Sequence, residues 1–279
     1  MARGRAPLFL LTAAVLASRG ALAAGPSPGA CVPAAPPRPL PVRALDLAFV
    51  GADRLIVLDG AEIALVAVGA GEVAVLSRRP LPGPLSIVRA PGGVLQASES
   101  DAAVWAMTSR SPQAVLFAIE GAQLSERERA EALPFPGAAR GLRFRAGTNL
   151  VEADVEGLGA GPFLDLAAAG AGPLVAVDPE GRLLNARGSE APLRAGPTLA
   201  ALWPGHVAAS LPSPPDREDA VVVFDVMASG APVTTCPTGA PVRAVAARVR
   251  EDVARLAVAV DGADGRPWLH LLDVARPAR

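Results

Sequence analysis

The feature that most constrains the fold of this chain is a junction that recurs along its sequence. At each junction a Pro-rich bend, usually with Gly, precedes a run of small and apolar residues, as at residues 39–41, 81–84, 135–137, 195–197 and 238–241. The two junctions that follow the cysteines match most closely, Pro41-Val42-Arg43-Ala44-Leu45 and Pro241-Val242-Arg243-Ala244-Val245. A repeat of this kind predicts one structural unit that is used several times.

A second recurring element is an apolar run that ends in an acidic residue. It occurs at residues 114–120, 174–178, 220–225 and 268–273, and RLIVLD at 54–59 is a further case. Short runs of this composition, bounded by Gly, Pro and Asp, are typical of strands. The acidic ends at 178, 225 and 273 are 47 and 48 residues apart. Because four strands with tight turns need about 40–45 residues, each unit is predicted to be a four-stranded sheet.

These units predict an all-β fold, namely a β-propeller of five or six four-stranded blades, with a β-sandwich as the alternative. The 113 residues between Pro84 and Pro197 hold two long blades or three short ones, so the blade number stays open. Since an isolated sheet leaves bare edges, the blades are expected to stack in a closed ring. The N-terminal strand is predicted to complete the last blade, and a flexible Pro-rich tether over residues 25–41 is the alternative.

The run AVVVFDVMASGAPVTTCPTGAPVRAV, residues 220–245, resembles one repeat of the YVTN-type and related WD40-like bacterial β-propellers. In those repeats a strand that ends in Asp is followed by a Gly-containing turn, a Val-rich strand, and then Gly and Pro before the next blade. Residues 182–202 are a looser copy. The Tyr-Val-Thr-Asn segment itself is absent, and the resemblance implies the fold and no particular activity.

The N-terminus has the order of a secretory leader. Arg3 and Arg5 precede an apolar run at 6–17 and then Ala21-Leu22-Ala23, so residues 1–23 are predicted to be a signal peptide that is cleaved after Ala23. The apolar run is shorter than the roughly 20 residues that span a bilayer, and the mature chain is expected to hold no membrane span. The predicted domains are therefore the leader 1–23, a Pro-rich segment or closing strand 24–40, and the propeller 41–279, in the periplasm or outside the cell.

The two cysteines, Cys31 and Cys236, both lie in the part predicted to be exported. An even number of cysteines in an oxidising compartment predicts one disulfide. On the propeller hypothesis they occupy equivalent outer strands of the last blade and its predecessor. Lipid attachment at Cys31 is disfavoured, because Pro-Gly-Ala precedes it and the apolar run ends well upstream.

Charge and motifs predict binding rather than catalysis. The chain has 26 basic and 27 acidic side chains, which give no broad attraction to nucleic acid. No nucleophile elbow, phosphate loop or dinucleotide fingerprint occurs, and no catalytic residue, metal site or cofactor is predicted. His206 is interpreted as a turn residue and His270 as a strand residue. Residues 261–265 are predicted to be a hairpin turn, and residues 125–132 a solvated helical insertion that begins with a capping box at Ser125 and Glu128.

The expected function is therefore that of an exported binding or scaffolding propeller of the cell envelope, with an envelope protein or a small ligand as partner. A metal-dependent hydrolase or lactonase-type propeller is the alternative, and its candidate carboxylates are Asp46, Asp53, Glu99, Asp101 and Asp165. Three or more carboxylates or histidines within reach of one metal ion would favour the enzyme.

Overall fold

The computed structural model describes residues 29–59, 61–69, 71–81, 86–87, 95–107, 112–127, 139–144, 151–155, 158–168, 174–185, 195–196, 198–211, 219–227 and 231–277. The predicted leader and its cleavage point after Ala23 lie outside these residues, as do positions 24–28, 82–84, 128–132 and 135–137. The described residues are all β, and no helix among them is long and apolar enough to cross a membrane.

The described strands form six antiparallel sheets, which are numbered in chain order by their first strands. Sheet 1 consists of β2 (Asp46–Val50), β3 (Arg54–Leu58), β4 (Glu62–Ala67) and β5 (Ala74–Pro80). Sheet 2 consists of β6 (Ser86–Ile87), β7 (Leu95–Ala97), β8 (Asp101–Met107), β9 (Pro112–Glu120) and β10 (Gln123–Glu126). Sheet 3 consists of β11 (Ala139–Phe144), β12 (Val151–Val155) and β13 (Gly159–Ala160).

The remaining sheets come from the second half of the chain and from its beginning. Sheet 4 consists of β14 (Asp165–Ala168), β15 (Leu174–Val177) and β16 (Leu183–Asn185). Sheet 5 consists of β17 (Leu199–Ala201), β18 (His206–Ser210), β19 (Ala220–Asp225) and β20 (Ala231–Pro237). Sheet 6 consists of β21 (Val242–Arg250), β22 (Val253–Asp261), β23 (Pro267–Ala275) and β1 (Cys31–Pro39). Sheets 1 and 5 are meanders of four consecutive strands, the unit that the sequence spacing predicts.

The fourth strand of sheet 6 comes from the other end of the chain. β1 pairs antiparallel with β23, from Cys31 opposite Val274 to Pro39 opposite Trp268. It is an edge strand, where proline is tolerated because its missing N–H removes no bond from a central ladder. The N-terminal segment thus completes the last sheet, and residues 31–39 are a strand rather than a flexible tether.

A disulfide joins sheets 5 and 6. Cys31 of β1 and Cys236 of β20 are bonded across 205 positions of sequence, with their Cα atoms 5.7 Å apart. Both cysteines lie on the fourth strands of their sheets, which are neighbours in space. Beside the bond, the Thr234 hydroxyl donates a hydrogen bond to the Gly29 carbonyl.

Apolar side chains fill the spaces between neighbouring sheets. Separate cores lie between sheets 6 and 1, sheets 1 and 2, sheets 4 and 5, and sheets 5 and 6. A strand in the middle of such a sheet is covered on both faces. This explains why β19 reads AVVVFD, a continuous apolar run, rather than an alternation of apolar and polar residues.

Most contacts between sheets follow one rule. First-position strands contact each other: β2 contacts β21 of sheet 6 and β7, which pairs with β8 beside β6 in sheet 2, and β17 contacts β14 and β21. Fourth-position strands contact each other in the same way, β5 with β10 and β1 with β20. In addition, β21 contacts β18 and β2 contacts β22. The last sheet therefore contacts the first, as well as the sheet that precedes it.

Two details differ from the sequence prediction. The run that ends at Asp178 is the second strand of its sheet, whereas β19 and β23 are third strands. Asp178 is therefore equivalent to Asp59, which follows the second strand of sheet 1, rather than to Asp225 and Asp273. The predicted helix start at Ser125 is also wrong, since Ser125 pairs with Ala118 in the β9–β10 ladder.

Candidate binding site

Two of the candidate carboxylates bond to backbone N–H groups between sheets. Asp46 and Asp165 are buried at the starts of the first strands of sheets 1 and 4. Asp46 accepts hydrogen bonds from the N–H of Leu47 (2.8 Å) and from that of Leu95 in sheet 2 (3.0 Å). Asp165 accepts from Leu166 (2.8 Å) and from Leu199 in sheet 5 (3.0 Å). In both cases one carboxylate fastens the first strand of its sheet to a strand of the next sheet.

The other candidate carboxylates lie elsewhere. Asp101 pairs with Arg127 at 2.7 Å beside a cavity of about 440 Å³ on sheet 2, and Asp53 and Glu99 are exposed in hairpins. Across the described part of the chain, no three His, Cys, Asp or Glu side chains are grouped so that they could hold a metal ion. The described residues therefore do not assemble the carboxylate set that the hydrolase alternative needs.

The two histidines occupy different settings. His206 begins β18, with its ring edge-on to Trp203 at a centroid distance of 6.0 Å. His270 lies half-buried in the middle of β23, opposite Val258, and burial lowers its pKa. By strand alternation it shares a face with Trp268 and Leu272, which pack in the core between sheets 5 and 6.

A group of arginines lines a pocket between sheets 6 and 1. The pocket has a volume of about 80 Å³. It is lined by Ala52, Arg248, Arg250, Val253, Arg255 and Asp273. Ala52 lies in the first hairpin of sheet 1, and the other five residues belong to sheet 6. We call this feature the arginine pocket.

Strand alternation places the arginines on one face. Arg248 and Arg250 follow Ala244 and Ala246 at two-residue steps along β21, and these alanines pack against sheet 1. In the middle of sheet 6 this face therefore carries small residues that are covered by sheet 1. At the hairpin end the same face carries arginine.

The turns on both sides of the pocket are well defined. Glu251, in the turn after Arg250, has φ = 45° and is the non-glycine residue with positive φ among the described positions. Its carbonyl accepts a hydrogen bond of 2.7 Å from the Trp203 indole, which holds the β21–β22 hairpin in this otherwise unfavourable conformation. On the other side, Gly51 at φ = 70° provides the left-handed residue of the turn that presents Ala52.

The pocket carries an excess of positive charge. Arg255 donates two hydrogen bonds of 2.8 Å to the carboxylate of Asp273, and these bonds raise the pKa of Arg255. Arg248 lies directly opposite Arg255 in the β21–β22 ladder. No carboxylate within the described ranges pairs with Arg248 or Arg250. Three guanidinium groups thus face one carboxylate, which leaves a net charge of about +2.

A second arginine group lies at the other end of β22. Arg43, which precedes β2, and Arg243 of β21 both donate to Oδ2 of Asp261, at 2.7 Å and 2.5 Å. Burial disfavours the charged carboxylate, but the bonds from both arginines outweigh it, so the pKa of Asp261 is lowered. These are the arginines of the repeated Pro-Val-Arg-Ala junction. They fasten the segment before sheet 1 to sheet 6.

No family model and no curated protein matches the chain. The solved structures similar to it include a chain of the mitotic checkpoint complex, with 12% identity, a TM-score of 0.41, and coverage of 99% of this chain and 90% of that one. A tail fiber of a Staphylococcus aureus phage has 9% identity, a TM-score of 0.39, and coverage of 84% and 50%. A putative oxidoreductase (glucose dehydrogenase) from Thermus thermophilus has 14% identity, a TM-score of 0.33, and coverage of 89% and 88%. Likeness at this level carries no conclusion about function.

Proposed function

We propose that the chain is an exported six-bladed β-propeller that acts as a binding module for an acidic ligand in the cell envelope. The contact rule between strands supports the fold. If the sheets radiate from a common axis, first strands meet at the centre and fourth strands meet at the rim, as β2 with β21 and β1 with β20 do. Sheet 3 then takes the place between sheets 2 and 4 that chain order gives it.

The chain ends support a closed ring and an exported protein. A strand from the N-terminus completes sheet 6, and sheet 6 shares an apolar core with sheet 1. Closure covers the bare faces that single sheets leave and exposes only the short edges of the outer strands. The Cys31–Cys236 bond fits an oxidising compartment, as does the charged and apolar leader sequence.

The main support for the binding function is the excess of positive charge in the arginine pocket. Arg248 and Arg255 lie directly opposite one another in the β21–β22 ladder. Two like charges in such a cross-strand pair destabilise a sheet. One carboxylate, that of Asp273, offsets only part of this repulsion. Local arrangements that disfavour the empty fold are expected at functional sites, where a ligand compensates for them.

Thermal unfolding with different anions tests the binding function. We expect at least one oxyanion among acetate, citrate and phosphate to raise the melting temperature above its value in chloride at equal ionic strength. That gain is lost in R248Q/R250Q and kept in R79Q/R266Q, which removes two exposed positive charges elsewhere. Equal melting temperatures in all four anions would rule out the binding function.

Export is tested separately by expressing the complete chain in a Gram-negative host. We expect the periplasmic fraction to hold a chain that begins at Ala24 and has no free thiol, as measured by intact mass before and after alkylation. An uncleaved chain in the cytoplasm would contradict export. It would not bear on the binding function, which the thermal unfolding with different anions tests.

A further inference from the structure

We infer that the arginine pocket binds a phosphate monoester in its dianionic form, an inference that rests on the proposed binding of an acidic ligand. Charge is the first argument. Arg248, Arg250 and Arg255 supply three positive charges to the lining of the pocket, and Asp273 cancels one of them. The remainder of about +2 matches a phosphate group, which carries −1.5 to −2 at pH 7. A ligand with a single carboxylate would leave about half of this positive charge uncompensated.

Size is the second argument. The pocket of about 80 Å³ is well above the roughly 10–15 Å³ that a single water needs, so it has room for a small polyatomic group. A phosphate group has five heavy atoms. The group is therefore expected to enter the pocket while the rest of the ligand stays outside, beside the exposed Arg250.

The three arginines have different tasks. Arg255 is fixed by its two bonds to Asp273, so its position is set before a ligand arrives. Arg248 and Arg250 have no such partner in the described structure, and each can offer a planar pair of donors to two phosphate oxygens. Val253 and Ala52 form apolar parts of the wall, which reduce screening of the charges by water.

The position of the pocket has a consequence for stability. Ala52 belongs to sheet 1 and the arginines belong to sheet 6, so a bound phosphate lies where the first and last sheets meet. A ligand that binds only the folded chain stabilises it by mass action. Binding is therefore expected to resist separation of these two sheets.

Isothermal titration calorimetry with glycerol phosphate and with acetate, at pH 8 and fixed salt, tests the inference. We expect glycerol phosphate to bind the wild-type protein at least tenfold more tightly than acetate. In R248Q/R250Q its affinity falls at least tenfold, while in R79Q/R266Q it changes by less than twofold. Circular dichroism of each variant shows whether it is folded, and the single variants R248Q and R250Q replace the double variant if that one is not.

A second titration at pH 5 separates a dianion site from a general anion site. Phosphate monoesters take up their second proton near pH 6, so the charge of the ligand changes between pH 8 and pH 5. We expect affinity for glycerol phosphate to fall at least fivefold from pH 8 to pH 5, with little change for chloride or sulfate.

The outcomes distinguish this inference from the function on which it rests. If acetate and glycerol phosphate bind equally well and both depend on Arg248 and Arg250, the phosphate inference is wrong and the acidic-ligand function stands. If neither binds at millimolar concentration, both are wrong. Unchanged phosphate binding in R248Q/R250Q would overturn the assignment to this pocket.

Discussion

Sheet 6 meets sheet 5 on one face and sheet 1 on the other, and the two contacts are built differently. Toward sheet 5, β22 and β23 present Leu256, Val258, Val260, Leu272 and Val274. The disulfide adds a covalent link on this side. Toward sheet 1, the same sheet presents mainly alanines, and polar bridges supplement them. These alanines are Ala244, Ala246, Ala257 and Ala259.

The difference bears on where a site can open between two sheets. Burying a Leu or Val side chain contributes about 1.5–3 kcal/mol, and alanine contributes less because it has less area to bury. From sheet 6 this contact therefore receives less apolar burial per residue, but Leu269 and Leu271 and the leucines and valines of sheet 1 complete its core, so it is the weaker contact in lacking a covalent link. It is also the contact at which the arginine pocket opens, so the proposed ligand would bind where the first and last sheets meet.

Removing the disulfide tests the stronger contact and has the largest expected effect. In the chain-entropy model a closed loop of 205 residues contributes about 5 kcal/mol, so C31S/C236S is expected to lower the melting temperature by on the order of 10 °C. Wild-type protein in reducing agent serves as the matched sample and should melt at the same temperature as the variant. A melting temperature unchanged in both samples would show that the apolar core alone holds sheets 5 and 6 together.

The next effect concerns the weaker contact. Arg38 of β1 is only 9% exposed and donates to the carbonyl groups of Val68 and Gly69 in sheet 1. In R38M these carbonyls lose a charged donor, so urea denaturation is expected to show a loss of about 2 kcal/mol. R79M, at an exposed position of β5, is the control and should change the free energy of unfolding by less than about 0.5 kcal/mol. An equal loss in both variants would mean that Arg38 does not join the two sheets.

The Asp261 bridge at the same contact gives a smaller effect that depends on pH. Its pKa is lower in the folded chain than in the unfolded chain, so its stabilisation is complete above the ordinary value near 3.9 and is lost as the pH falls through the folded value. D261N is expected to be less stable than wild type at pH 7 by at most about 1 kcal/mol. The gap should shrink between pH 4 and pH 2, as measured by urea denaturation. A gap that stays constant over this range would contradict an ionised bridge.

The smallest effect belongs to the face toward sheet 5. Burial lowers the pKa of His270, so protonation disfavours the folded chain as the pH falls below the ordinary histidine value of about 6.5. Between pH 8 and pH 5 the urea midpoint of wild type should fall more than that of H270Q, which does not titrate. The difference between the urea midpoints of the two proteins at pH 8 is the reference. If the two midpoints fall equally from pH 8 to pH 5, protonation of His270 does not affect the stability of the folded chain.

Much of the architecture can be predicted from the sequence because the junctions mark first strands. The repeat of Pro41-Val42-Arg43 at positions 241–243 shows that two sheets begin alike. The cysteines then indicate that residues near 31 belong to an outer strand. The misplaced strand before Asp178 has a plain cause: second and third strands both end at an acidic turn, so the ending alone does not identify the strand.

One missed signal would have corrected that error. DLAFVGADRLIVLD at 46–59 and DLAAAGAGPLVAVD at 165–178 share seven of fourteen residues, and they align Asp46 with Asp165 and Asp59 with Asp178. These segments are the first two strands of sheets 1 and 4, and in both the first Asp bonds to the next sheet. The repeat therefore relates sheets that are three apart, as well as neighbours.

The arginine pocket was harder to find from sequence. Every basic residue of this chain is arginine, so Arg248 and Arg250 are not conspicuous by type. The pattern RVREDVAR at 248–255 does hold a signal, since alternate residues on both sides of a two-residue turn lie on one face. Only the pairing of Arg248 with Arg255 and the approach of Ala52 from sheet 1 show that this face borders a cavity.

The pairing of β1 with β23 also governs the order in which the molecule can be assembled. Among the described strands β1 comes first in the chain, and its ladder partner β23 comes last. Until residues 267–275 have emerged, β1 has no ladder to join. Sheet 6 therefore becomes complete only after residues 267–275 have been made, and a chain truncated before β23 lacks the strand with which β1 pairs.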